Sequence, residues 1–546
     1  MRNIAQYKKI FYLISTVIIY NLFFINKAFH IDDSFTVKCA RAINENSINI
    51  VHKSYYNPIL LGYYYAPVIR FFGESEIWMH IFYLPFSLLV IVSMFILSLR
   101  FTKGSLLPVL SLVISPAFLI MSHSVMLDIP LLGFFLSALA AFIYGTDKND
   151  NRLLFLSGVL TGIAILIKYS GLILIPLMFF YALLSSKKRY CLFLLIPISM
   201  FFCSFIFYKG IPLIAAIKTR VGTWSMKEII IRIFACLSFI SGTSISGIFL
   251  IPFFLRNKNN LFLFFLSLPI GLCPFLVKGI FADYSYSDKL FLSLLFVSSF
   301  FIILTIYKTS CPISFKKIYN KDRFFLSLWS LTLLIFNVLA QFITARFVLL
   351  LFPPMFLISY GEIISSETYL LSGFKKLVVF ATLFTFLLST ILAIGDYYFA
   401  GIYRDFLRYL KKEIPAYKKI YSCDASYLRR YAWGYSYYLN RYYGFPIKGL
   451  DIINSPGKMH YIFITPSEPV LPFVIEKKSI PEDFNDPKFD KVLIQKFSHA
   501  FLHNRKYRAG FYSHDWGLLP FKITMQRSIL EKFYIYNLKP SCEINQ

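Results

Sequence analysis

The sequence predicts an α-helical polytopic membrane protein of about 13 transmembrane helices, with interfacial helices in the first outer loop and a small C-terminal α/β extracytoplasmic domain. Three observations predict it. The 546 residues are 57% hydrophobic, with a mean hydropathy of +0.62. Long uncharged runs recur over residues 1–395 and stop there. The formal charge of +28 sits mostly in short loops between those runs, where basic residues orient helices rather than bind nucleic acid.

A span needs about 20 apolar residues to cross the hydrocarbon. Runs of that kind fall at 10–26, 80–99, 105–121, 126–144, 191–208, 229–255, 260–280, 290–307, 324–343, 347–360 and 376–395. The stretch 153–184, interrupted by Lys168-Tyr169-Ser170-Gly171, is long for one span and short for two. Reading it as two places Lys8 and Lys9, Arg100 and Lys103, Lys187 to Arg189, Arg256 and Lys258, Lys316 and Lys317, and Lys375 and Lys376 on the cytoplasmic side. The N-terminus is then inside and everything after residue 395 outside. No cleavable signal pattern is evident, so the first span is expected to remain as an anchor. The same parity gathers Asp32, Asp33, Asp128, Lys168, Arg220, Asp283, Asp288 and Arg346 on one outer surface.

From residue 396 to 546 charges, Pro and Gly interleave with Tyr-rich segments, which reads as a separate soluble domain. Helical patterns cover 403–414 and 427–443, and strand-like runs cover 418–422, 460–465, 492–497 and 533–538. Alternation of this kind suggests a small α/β unit. There is no P-loop, dinucleotide fingerprint or internal repeat. The eight cysteines lack metal spacing, and only Cys423 and Cys542 are placed for a disulfide outside the membrane.

Chemistry-bearing residues cluster in the outer loops. Asp32-Asp33-Ser34 follows the first span and opens a helix whose apolar positions Phe35, Cys39, Ala42 and Ile43 share one face. These acids either cap that helix or supply a carboxylate that takes a proton from an acceptor hydroxyl while its neighbour orients it or shares a divalent cation. In Ser122-His123-Ser124-Val125-Met126-Leu127-Asp128-Ile129-Pro130, Asp128 either caps the next helix or needs a partner in apolar surroundings. Lys168 either snorkels to the interface or pairs with an anionic lipid phosphate. Arg346, in Thr344-Ala345-Arg346-Phe347, and Arg220 add outer guanidinium groups, a geometry suited to phosphate. Tyr512 and Trp516, in Tyr512-Ser513-His514-Asp515-Trp516-Gly517, are candidates to stack on an acceptor sugar, with a Tyr-rich domain core as the other reading.

Taken in order, these segments resemble the GT-C membrane glycosyltransferases, and within them the protein O-mannosyltransferase and lipid A aminoarabinose transferase group. The resemblance rests on the acid pair with Ala40-Arg41, on Asn57-Pro58 through Phe72-Gly73, and on the Ser122–Pro130 segment. Gly162 through Gly171, and Ala345-Arg346-Phe347 through Pro353-Pro354, complete it. It covers roughly residues 10–395 and implies inverting transfer of a sugar from a polyprenyl-phosphate carrier to a lipid, glycan or protein acceptor on the outer side. By position, Asp32 matches the catalytic acid, Asp33 the acid beside it, Asp128 the acid of the second outer loop, and Lys168 the lysine after the Gly-rich span. Asp32 and Asp128 are also the residues expected to hold a divalent metal if one is used. The chain departs from the group at Asp33, usually Glu, at Asn57-Pro58, usually Pro-Pro, and at Tyr56, where the lipid A enzymes carry a lysine. The location expected is the bacterial inner membrane with the C-terminal domain periplasmic. A transporter of an envelope precursor and an O-antigen-ligase-type glycan transferase are the alternative functions.

Overall fold

The computed structural model describes residues 2–47, 57–207, 225–245, 247–256, 258–310, 321–340, 343–365 and 372–413, and in the tail 420–421, 438, 461–466, 489–501, 503–504 and 507–538. Each expected span contains at least one helix. Among the described residues six helices are long and apolar enough to cross a membrane, or seven if one bent pair counts as a span. Shorter apolar helices accompany them at Asn151–Ile167, Tyr169–Leu184 and Asn260–Leu276.

Local chemistry explains where the helices break. Asn149, in the left-handed region at φ 57°, ends the Asp128–Lys148 helix. Asp150 then caps Asn151–Ile167 by accepting from the Arg152 and Leu153 backbone N–H groups. The two helices therefore turn back on each other within three residues. The expected 105–121 span is two short helices, Leu107–Val113 and Pro116–Ser122. Pro116 has no N–H to continue the first, and Ser115 is extended and caps the second through Phe118 N–H. The 229–255 run likewise bends by 80° between Met226–Ser244 and Ile248–Phe254.

The ambiguous 153–184 stretch is two helical segments with Lys168 extended between them at φ −154°, ψ 134°. Gly171 allows that break. A Cβ there would lie 2.7 Å from the Ala164 carbonyl carbon and the Ile165 nitrogen, so only glycine lets the turn fold back on the helix it leaves.

After the first helix, Arg2–Phe23, the chain enters two helices, Asp33–Asn44 and Leu60–Phe72, that pack on each other. A bidentate Arg41–Glu74 pair, 2.5 Å on both arms, joins the first of them to the end of the second.

The Ser372–Glu413 helix runs continuously through position 395, since nothing between Leu392 and Glu413 breaks it. In the tail, strands Ile420–Tyr421, Tyr461–Pro466, Lys522–Leu538 and Phe489–Phe501 form a sheet in that spatial order. The first pair is parallel and the others antiparallel. In all four strand-like runs anticipated from sequence the described residues are strand, and residues 403–413 are the end of the long helix. The 427–443 helix lies outside the described residues except for Tyr438, and Cys423 and Cys542 lie outside them altogether.

Between the two long strands, residues 507–521 fold as a tight loop that docks on the helical body. Leu518 N–H donates to the Tyr284 hydroxyl at 2.7 Å, Lys522 pairs with Asp288 at 2.9 Å, and Arg508 pairs with Asp283. Gly517, at φ +150° and backed against the Arg508 backbone, admits no side chain.

Candidate active site

Four charged side chains from four separate segments meet at helix ends. Asp32 sits at the N-cap position of the Asp33–Asn44 helix but makes no side-chain cap bond. Its carboxylate turns instead to Arg346, with which it forms a close ion pair. The Arg346 guanidinium also reaches Asp128 at 3.6 Å, and the other Asp128 oxygen accepts from Lys168 Nζ at 2.7 Å. Asp32, Arg346, Asp128 and Lys168 thus alternate in sign along one line.

Each position has a local cause. Asp128 opens its helix, where a carboxylate is favoured by the partial positive charge of the N-terminus. Lys168 closes its helix and is buried, so it does not snorkel to an interface. Its ammonium lies 4.0 Å from the Phe347 ring centre as well as against Asp128. Arg346 precedes the short helical turn Val348–Leu351. The loop carrying it is held by Ala345 N–H donating to the Phe511 carbonyl at 2.8 Å and by His514 N–H donating to the Ile343 carbonyl at 2.9 Å. The Val125–Met126 turn before Asp128 is fixed from two sides, by Thr36 Oγ1 donating to the Val125 carbonyl and Tyr83 OH donating to that of Met126.

A cavity opens beside this line. Asp128, Lys168, Ser170, Arg346 and Phe347 line it together with the apolar side chains of Leu131, Leu132, Leu349 and Leu350. A site lined by two cations and several aliphatic side chains fits an anionic group carried on a hydrocarbon chain. Asp32 lies outside this lining but touches it through Arg346. With 28% of its side chain exposed, it remains reachable from solvent.

Asp33 goes elsewhere. Its Oδ2 accepts from the His30 backbone N–H at 3.2 Å and from His30 Nδ1 at 3.1 Å, and its side chain is fully buried. The other nitrogen of His30 lies 3.2 Å from Asp396 Oδ1 and 3.0 Å from the Tyr512 hydroxyl. Asp396 is in turn paired with Lys27 at 2.5 Å, and Lys27 donates to Ser124 Oγ at 2.6 Å. Burial, the largest influence on His30, favours the neutral ring, and Lys27 adds to that. The Asp396 charge and hydrogen bonds to Asp33 and Asp396 outweigh both and hold the imidazole above its ordinary value of 6.5. Burial, with Asp396 beside it, raises the Tyr512 hydroxyl well above its usual range, so it stays a donor.

Sequence reasoning thus assembled Asp32, Asp128, Lys168 and Arg346, which the structure brings together. It treated Asp33 as part of the same site, and the structure separates it. Tyr512 and Trp516, considered for the acceptor, are both buried in the core, 3% and 7% exposed. That is the placement of the core reading. Arg220 lies outside the described residues. His30, Lys27, Asp396 and Tyr438 were missed. The available signal was an acid at the edge of an apolar run, Asp396, which calls for a buried cation.

A divalent ion between Asp32 and Asp128 does not fit this arrangement, because the Arg346 guanidinium already bridges the two carboxylates. Among the described residues no group of three or more His, Cys, Asp or Glu side chains is arranged to hold a metal.

Residues 56–208, which include Asp128 and Lys168, match the family described as dolichyl-phosphate-mannose-protein mannosyltransferase. That match supports a GT-C membrane glycosyltransferase, the class the sequence resembles. Among solved structures the chain is similar to ArnT from Cupriavidus metallidurans in the apo state. The TM-score is 0.44 and the identity 11%, covering 84% of this chain and 93% of that one. It is similar also to the same protein bound to undecaprenyl phosphate, with a TM-score of 0.43 and 12% identity over 82% and 91% of the two chains. No curated protein matches the chain.

Proposed function

We propose that the protein transfers a sugar from a polyprenyl-phosphate donor to a lipid, glycan or protein acceptor, with inversion at the anomeric carbon. The observation that carries this reading is the cavity lined by both Lys168 and Arg346, with a partly exposed carboxylate, Asp32, paired to Arg346. The lipid phosphate would enter beside the two cations and compete with Asp128 for them. The acceptor oxygen attacks the anomeric carbon as the carbon–oxygen bond to phosphate breaks. The bonding pair leaves on the phosphate oxygen, where Lys168 and Arg346 meet the growing charge. Asp32 takes the acceptor proton, a role worth typically about 10²- to 10⁴-fold. Asp128 orients the two cations between turnovers.

The opposite end of the Asp128–Lys148 helix supports the orientation expected from sequence. There Arg100 pairs with Asp147 and Asp322, and Lys187 caps the Thr146 carbonyl. Basic residues at that end support a cytoplasmic assignment for it, and so an extracytoplasmic, periplasmic assignment for the site and the tail domain from residue 396.

The test uses purified protein with a polyprenyl-phosphate sugar and candidate acceptors drawn from the envelope. Asp32→Asn should lower transfer by about 10²-fold or more while donor binding persists. Turnover by that variant at the wild-type rate removes Asp32 from the role.

A further inference from the structure

The residue before Asp32 is strained. Ile31 has φ +45°, a left-handed backbone that a β-branched residue adopts only when its surroundings force it. Tail residues bond to this turn, alongside Asp33 and Asp396. Phe29 N–H donates to the Tyr438 hydroxyl at 2.8 Å, and that hydroxyl donates to Glu76 Oε1 at 2.8 Å. His30 Nε2 lies 3.0 Å from the Tyr512 hydroxyl, which donates to Asp396 Oδ1 at 2.8 Å. Both tyrosines are buried. Neighbours of Tyr512 hold the other half of the pair: the Phe511 carbonyl accepts from Ala345 N–H, and His514 exchanges bonds with Ile343. The 511–514 segment thus touches the His30 side chain on the approach to Asp32 and the backbone leading to Arg346, which are more than three hundred positions apart, while Tyr438, elsewhere in the tail, touches the Phe29 backbone.

We propose that the tail is a positioning clamp. Tyr438 and Tyr512 hold the Phe29–Ile31 turn in its left-handed form, and Phe511 and His514 hold the Arg346 loop, so that Asp32 faces Arg346 only while the tail is docked. Tyr438 and Tyr512 are positioning residues here and touch no reacting atom. The inference rests on the assignment of Asp32 as the base, and it gives the tail a part in catalysis without contact with the acceptor.

The test is the double variant Tyr438→Phe with Tyr512→Phe in the full-length protein, which keeps both rings and removes only the hydroxyls. The kcat should fall by about 10- to 100-fold, the loss expected when a reacting group is displaced by about 1 Å. The KM for the donor should stay within about twofold, as for an interaction made only in the transition state. Amide hydrogen exchange over residues 27–36 should speed up while the Asp128–Lys148 helix keeps its protection. Adding Ile31→Gly, which makes the left-handed backbone inexpensive, should restore most of the kcat. Wild-type kcat and exchange in the double variant overturn the clamp. So does a loss that spreads over all helices and that Ile31→Gly leaves unrepaired, because that is general destabilisation. If Asp32→Asn turns over normally, the base assignment fails, and local exchange over 27–36 still decides whether the tail holds the turn.

Discussion

Asp32 keeps 28% of its side chain exposed and pairs with Arg346, whereas Asp33, the next residue, is fully buried and pairs with His30. The two acids begin two ionic groups of similar size. One runs Asp32, Arg346, Asp128, Lys168 and borders a cavity. The other runs Asp33, His30, Asp396, Lys27 and is sealed on every side. Acids and bases alternate in both, so the presence of charge alone does not distinguish a site from a scaffold. Access does: the open group can exchange a partner for a phosphate, and the closed group has no room to exchange anything.

That contrast can be broken most severely at Lys27. Lys27→Met leaves the fully buried Asp396 carboxylate to His30 and the Tyr512 hydroxyl, and removing one partner of such a buried pair costs about 3–5 kcal/mol. Thermal melting in detergent should show a large fall. A small one would mean that His30 and the Tyr512 hydroxyl suffice to hold Asp396 without Lys27.

Lys168→Gln strikes the open group. Asp128 retains Arg346 at 3.6 Å, so the fold should survive, while loss of one phosphate-stabilising cation should lower kcat by about 10²-fold. Steady-state rates set beside melting curves separate the two groups: Lys27 should act mainly on stability and Lys168 mainly on rate.

A smaller and graded effect comes from pH. His30 is held above its ordinary value, so the folded state binds its proton more tightly than the unfolded chain. This contribution is complete below about 6.5 and is lost as pH rises through the raised value in the folded protein. Melting temperature should therefore decline on the alkaline side, and His30→Gln should flatten that decline. An unchanged profile in the variant would assign the pH dependence to another group. The smallest effect is expected at the rim, where Asp283→Asn removes an exposed pair with Arg508 worth no more than about 1 kcal/mol, read as a shift of a few degrees at most.

Much of the site was legible because its residues break an apolar pattern. Asp128 and Lys168 stand where hydrophobic runs end, and a charge at such a place needs a partner wherever the chain folds. Asp33 was misplaced for a reason of geometry. At the start of a helix adjacent residues point about 100° apart, so two neighbouring acids serve different networks unless the backbone is bent. The Arg346 loop could be named from its motif, but its contact with Phe511 and His514 joins segments far apart in the chain and leaves no local pattern.

By itself the sequence determined the membrane setting, the positions of the helices and the break at Lys168, because hydropathy, Gly and Pro act over a few residues. It also placed Asp32, Asp128, Lys168 and Arg346 on one outer surface, together with Asp33, Arg220, Asp283 and Asp288. Only the tertiary structure decided that Asp33 belongs with His30, that Asp396 needs Lys27, and that the tail's tyrosines hold the strained turn before Asp32. Those are pairings across hundreds of residues, settled by which buried polar group lies within hydrogen-bond reach once the helices have packed.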